Sequence, residues 1–102
     1  MKSFGEQLRS LRENKGLTLK FVSEQLGVDT SLLAKIERNE RPPKRQMIKQ
    51  IAHFFKVDEQ ELQNTFLSDV IAYKILNDGG DEEVLKVAEE KVKYLKMVHH
   101  GK

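Results

Sequence analysis

Gly27 is the residue that most constrains how this chain can fold. Two short stretches of helical periodicity flank it: Val22 and Leu26 before, Leu33 and Ile36 after. Thr18 is placed to cap the first helix and Asp29 the second. A glycine between them ends the first helix, and Val28 plugs the turn. Ser23 sits where two helices would approach closely, and its small side chain permits the approach. Residues 16–43 therefore read as two short helices around a tight turn, with basic residues on and just after the second.

Flanking periodicity supplies the rest of a small helical core. Ser3 and Glu6 form a capping box that opens helix 1, and Phe4, Leu8 and Leu11 make its apolar stripe. Lys15-Gly16 closes it. After Arg41-Pro42-Pro43, with Pro43 placed near the first turn of helix 4, the residues Ile48, Ile51, Ala52 and Phe55 form an apolar face. Val57 fills the following corner. A second acidic capping box, Asp58 and Glu61, starts helix 5. Its apolar positions (Leu62, Phe66, Leu67, Val70, Ile71, Tyr73, Ile75, Leu76) make a face too wide for a small bundle. Asn77-Asp78-Gly79-Gly80 is the clearest break. A last helix, 81–98, has acids first and lysines later, as the helix dipole favours. Its Leu85, Ala88, Val92 and Leu95 form a short coiled-coil-like seam.

Charge is divided unevenly along these helices. Residues 1–57 hold twelve Lys/Arg against six Asp/Glu, and residues 58–102 hold six against ten. The balances are +6 and −4, so the half containing the glycine turn is the one suited to a polyanion. Charged residues make up 33% of the chain and hydrophobic residues 38%, a composition of surface-rich helices. No apolar run approaches the roughly 18 residues of a membrane span, and no signal peptide is apparent. The absence of cysteine excludes a disulfide scaffold and a thiolate metal site. We expect a cytoplasmic protein with no membrane partner.

Residues 1–62 resemble the phage-repressor (Cro/C1, XRE) type of helix-turn-helix domain. The resemblance rests on Arg12, Gly16-Leu17-Thr18, Val22, Leu26-Gly27-Val28, Ile36-Glu37-Arg38, Pro43, Ile51-Ala52, Val57 and Leu62. It implies an all-α protein with a five-helix lambda-repressor-like DNA-binding domain; the apolar surface of helices 5 and 6, more than that core needs, adds a C-terminal helix for dimerisation. The resemblance also implies that Arg12 and Glu37 form a structural ion pair between helix 1 and the end of helix 3. The start of helix 3 would then meet base edges in the major groove through Thr30, Ser31 and Lys35. Lys35 suits guanine O6 and N7, while the two hydroxyls could serve any base or a phosphate. Leu32 either packs on a thymine methyl or shares the core with Leu33. Phosphate contacts would come from Thr18 at the start of helix 2, and from Lys20, Arg38, Arg41, Lys44 and Arg45. Two residues depart from the family's pattern: Leu19 replaces a common glutamine, and Asn39 stands where glycine is commonest, although asparagine accepts the same left-handed backbone.

Three side chains are a thin set of base readers, since one such contact decides only about 1–3 kcal/mol per base pair. Specificity should therefore require two copies. The expected dimer interface is Phe66, Val70, Tyr73, Leu85, Ala88, Val92 and Leu95, within a helical extension at 63–98 that precedes a disordered tail at 99–102. Helix 6 would pair with its mate, fold across the partner, or fold back on helix 5. The expected function is a transcriptional regulator, most simply a repressor, binding double-stranded DNA as a homodimer on a pseudo-palindromic operator. The alternative is a protein-binding module, such as an antitoxin or adaptor, whose acidic tail engages a protein partner. There is no nucleophile–base set, phosphate loop or metal-ligand spacing, so no enzyme, cofactor or metal is expected. His53 reads as an ordinary partly exposed histidine, and His99-His100 as a chance pair at the terminus.

Overall fold

The computed structural model describes residues 1–100. They form six α-helices: α1 (Phe4–Asn14), α2 (Leu19–Leu26), α3 (Thr30–Glu37), α4 (Arg45–Phe55), α5 (Glu59–Asn77) and α6 (Glu82–His100). No strand is present among the described residues. The chain divides into two units, Met1–Asp69 and the residues from Val70 onward, so α5 contributes to both.

The first unit is organised around α3, against which α1 and α2 both pack. Phe4, Leu8, Val22, Leu26, Leu33, Ile36, Ile48, Ile51, Phe55 and Leu62 are buried together. Met47 joins this core although the four-residue face read for α4 omits it. Leu11, Leu17, Leu19, Val28, Leu32, Val57 and Phe66 pack on its margin. Gly27 adopts a left-handed φ of 71°, and its N–H together with that of Val28 closes α2 onto Glu24 and Ser23 carbonyls. That is how a helix of eight residues can stop abruptly and leave room for another.

The start of α1 shows why this unit extends to Asp69 and not to Leu62. The first N–H groups of a helix have no partner within it. Here three sources supply one. Phe4 N–H donates to Asp69 Oδ2 of α5 (2.7 Å), Gly5 N–H to Asn39 Oδ1 (3.1 Å), and Glu6 N–H to Ser3 Oγ (3.3 Å). Phe66 lies edge-on to Phe4 with ring centroids 5.9 Å apart. Asn39, at φ 61°, also donates from Nδ2 to Ser3 Oγ (2.8 Å). It is therefore more than a tolerated stand-in for glycine. The Ser3–Glu6 capping box is complete, and its hydrogen bonds hold the Glu6 carboxyl below its ordinary pKa.

Gly5 has a separate role that helical periodicity does not reveal. A Cβ at this position would lie 2.5 Å from Glu37 O, 2.6 Å from Ile36 O and 2.6 Å from Asn39 Oδ1. Two of these are backbone atoms at the end of α3, so only glycine lets α1 reach that end. The approach sets α1 against the C-terminus of α3.

Several local expectations are corrected. Asp29 occupies the N-cap position of α3 but accepts no cap hydrogen bond. Asp58 accepts from Gln60 N–H (3.2 Å), and no reciprocal bond from Glu61 is formed, so a simpler Asx turn starts α5. Pro43 is buried just ahead of Lys44, the N-cap of α4, outside the helix proper. The last helix runs from Glu82 through His100, because nothing between Leu95 and His100 breaks it. A tail starting at 99 therefore gives way at its first two positions, and 101–102 lie outside the described residues.

The second unit is built differently. α6 opens with Asp81 accepting from Glu83 N–H (3.0 Å), and Gly79 turns the chain at φ 79°. Most of its apolar side chains are exposed, among them Tyr73 at 56%, Leu76 at 70%, Leu85 at 49% and Leu95 at 51%.

Candidate nucleic-acid interface

α3 has a buried side and an exposed side set by its 3.6-residue period. Leu33, Ile36 and Glu37 are buried, whereas Thr30, Ser31, Lys35 and Arg38 are exposed and fall on one opposing face. Leu32 is half-buried against the core, so the structure places it with Leu33 and not at the tip of the exposed face. Ala34, also half-buried, lies between the polar side chains.

An ion pair fixes how this helix projects. Arg12 Nε and Nη2 donate to Glu37 Oε2 (2.7 Å) and Oε1 (3.0 Å), a bidentate arrangement. Arg12 Nη1 also donates to Leu17 O (2.9 Å), so one guanidinium joins α1, the approach to α2, and the end of α3. The side chains are 13% and 5% exposed, which makes the pair largely shielded from solvent. Hydrogen bonding to Glu37 raises the Arg12 pKa above its ordinary value.

The basic side chains expected around the reading helix are available in different degrees. Lys20, Lys35, Arg41, Lys44 and Arg45 are exposed and enter no ion pair with a described residue. Arg38 differs, because its guanidinium is paired with Glu40 on the surface. That contact raises the Arg38 pKa and lowers that of Glu40. Thr18 is exposed and its Oγ1 accepts from Phe21 N–H (3.0 Å), leaving its hydroxyl proton free to donate.

Helix starts add a signal that residue-by-residue reading overlooked. α1, α5 and α6 carry acids in their first turns, as the helix dipole favours, while α2, α3 and α4 carry none. α4 goes further, with Lys44 at its N-cap and Arg45 as its first residue. Positive charge at that end is unfavourable for an isolated helix and favourable when an anion sits there. The sequence could have yielded this from a tabulation of first-turn charges.

The expected interface residues of the tail separate into two groups. Phe66 belongs to the first unit and packs on Phe4. Val70, Tyr73, Leu85, Val92 and Leu95 are exposed, and Ala88 is half-buried. Among the described residues no group of three or more His, Cys, Asp or Glu could hold a metal ion. No helix among the described residues is long and apolar enough to cross a membrane.

A short helix pair around a left-handed glycine, with a polar second helix held out by a shielded ion pair, defines a helix-turn-helix regulator. Residues 5–65 match the helix-turn-helix domain family, and the chain belongs to that family, in its phage-repressor (XRE) branch. The HTH-type transcriptional repressor RghR of Bacillus subtilis is 40% identical over 63 residues, which are 61% of this chain and 47% of the relative. The chain thus spans about half the length of that curated relative. Among solved structures, the restriction-modification controller protein C.AhdI from Aeromonas hydrophila is 32% identical with a TM-score of 0.54. That match covers 58% of this chain and 89% of the controller. The clp gene regulator ClgR from Corynebacterium glutamicum shares the fold at 19% identity and a TM-score of 0.56, over 97% of this chain and 92% of its own. The SinR protein/SinI protein complex does so at 22% and 0.54, over 91% and 97%. These homologues and this fold are those of DNA-binding transcriptional regulators, not of enzymes.

Proposed function

We propose that this protein is a sequence-specific transcriptional repressor that binds double-stranded DNA as a homodimer on a pseudo-palindromic operator. The observation that carries this reading is the exposed polar face of α3, flanked by unpaired Lys20, Arg41, Lys44 and Arg45 on a scaffold whose other side is buried. Ser31 and Lys35 would read bases, and the flanking cations and Thr18 would hold phosphates. Arg38 would first have to leave Glu40, a small cost for an exposed pair.

The homodimer is supported by the apolar side chains left in solvent from Val70 to Val98. Two half-sites would be spaced by about one turn of DNA (~34 Å). The same surface supports the second reading, a tail that engages a different protein. A cytoplasmic setting accords with the lack of a membrane-spanning helix among the described residues.

Selection of bound DNA from a random pool tests the proposal. The expected result is an inverted repeat whose affinity falls steeply with salt, with a log–log slope near −0.9 per phosphate neutralised. Sedimentation at micromolar concentration should give twice the chain mass of 11.8 kDa. A flat salt response with no discrimination from random DNA would favour the protein-binding reading. A species of single chain mass would remove the homodimer.

A further inference from the structure

We infer that Thr30 reads DNA only as a hydrogen-bond acceptor, and so recognises the exocyclic amino group of an adenine or cytosine. This rests on the repressor reading above and names what one side chain of the reading helix selects.

Ser23 Oγ lies 2.8 Å from Lys20 O and 2.8 Å from Thr30 Oγ1. A carbonyl oxygen only accepts, so the single hydroxyl proton of Ser23 goes to Lys20 O. The contact between the two hydroxyls must then be made by the proton of Thr30. Ser23 is 1% exposed, so water does not compete for its lone pair. Thr30 remains exposed at the first position of α3 with its proton turned inward and its lone pairs outward.

This removes most of what a threonine usually does on DNA. Phosphate oxygens, guanine O6 and N7, adenine N7 and thymine O4 are all acceptors and need a donor that Thr30 no longer has. In the major groove the only donors are adenine N6 and cytosine N4. Thr18, at the start of α2, has the opposite polarity. Its oxygen already accepts from Phe21 N–H and its proton is free, so it can donate to a phosphate as Thr30 cannot. Two threonines at two helix starts are thus set to complementary tasks by the bonds each already makes.

The test is a coupling measurement on the full chain with its selected operator. Each adenine in a half-site is replaced in turn by purine, which lacks the N6 amino group, and each cytosine by its analogue lacking N4. The wild-type protein should lose about tenfold in affinity at one position per half-site, and Thr30→Val should lose nothing further there. Ser23→Ala, which touches no DNA, frees the Thr30 proton and should weaken that coupling while admitting guanine or thymine in a fresh selection. Helicity and thermal unfolding of both variants confirm that the fold is kept. Coupling of Thr30 to a base carbonyl or ring nitrogen, coupling to no base, or an unchanged Ser23→Ala selection profile would each overturn the inference. Failure of the wild-type protein to select any sequence would overturn the repressor reading itself, a distinguishable result.

Discussion

Up to Asp69 the molecule closes on itself; from Val70 onward it does not. In the first region Phe4, Leu8, Leu33, Ile48 and Leu62 are essentially removed from water, and the first N–H groups of α1 find partners on three different parts of the chain. In the second, Val70, Ile71, Tyr73 and Leu76 of α5 and Leu85, Val92 and Leu95 of α6 remain exposed, although the α6 residues keep a regular three-and-four spacing. Equal periodicity gives unequal burial, because burial needs a partner surface as well as a stripe. The first region carries its partners within itself. The second leaves most of its apolar side chains exposed.

The largest effect expected within the first region comes from its shielded charge pair. Glu37→Ala leaves Arg12 without its carboxylate, and loss of one partner of such a pair costs about 3 kcal/mol or more. Denaturant unfolding should show this, and a wild-type midpoint would remove Arg12–Glu37 from the fold's supports. Next is a matched glycine comparison. Gly5→Ala forces a Cβ against fixed carbonyls and should cost about 2–3 kcal/mol. Gly80→Ala meets Ile75 and Val84 at 3.1 and 3.2 Å and should cost less than about 1 kcal/mol. Equal penalties would break the contrast between the two regions.

Surface substitutions should sharpen it from the other side. Leu85→Gln with Leu95→Gln should leave unfolding of the isolated chain within about 0.5 kcal/mol, yet shift sedimentation from dimer to monomer. Glu40→Gln releases Arg38 and should strengthen DNA binding up to about fivefold at low salt, measurable by titration. The smallest effect concerns acid stability. Because the Glu6 carboxyl is held below its ordinary pKa, its contribution is present above the usual carboxylate range and is lost as pH falls through and below it. Glu6→Gln should therefore flatten the decline of Tm between neutral pH and about pH 3. An unchanged acid limb would show that the capping box carries no pH dependence.

Much of the first region is legible from neighbouring residues. Ser3 with Glu6, Thr18, and Gly27 act within a few positions of one another, and the helix ends they predict are the ones observed. Asp58 and Glu61 show the limit of the same logic, since the residues for a box are present and the box is not formed. The candidate interface divides similarly. The exposure of Ser31 and Lys35 follows from the period of α3, but the engagement of Arg38 by Glu40 and the inward turn of Leu32 do not. Phe66 illustrates the remaining gap: its spacing fits an interface as well as a core, and only the nearness of Phe4 distinguishes them.

By itself, then, the sequence determined the helices, the glycine turn and the exposed polar face of α3, because caps and periodicity act over one or two turns of chain. Tertiary structure decided matters that depend on distant groups meeting. Asp69 caps an N–H 65 residues away, and Asn39 and Gly5 join across 34. A threonine hydroxyl in a sequence can donate or accept with equal ease. The fold turned the Thr30 proton toward Ser23, and with it settled which half of that capacity faces outward.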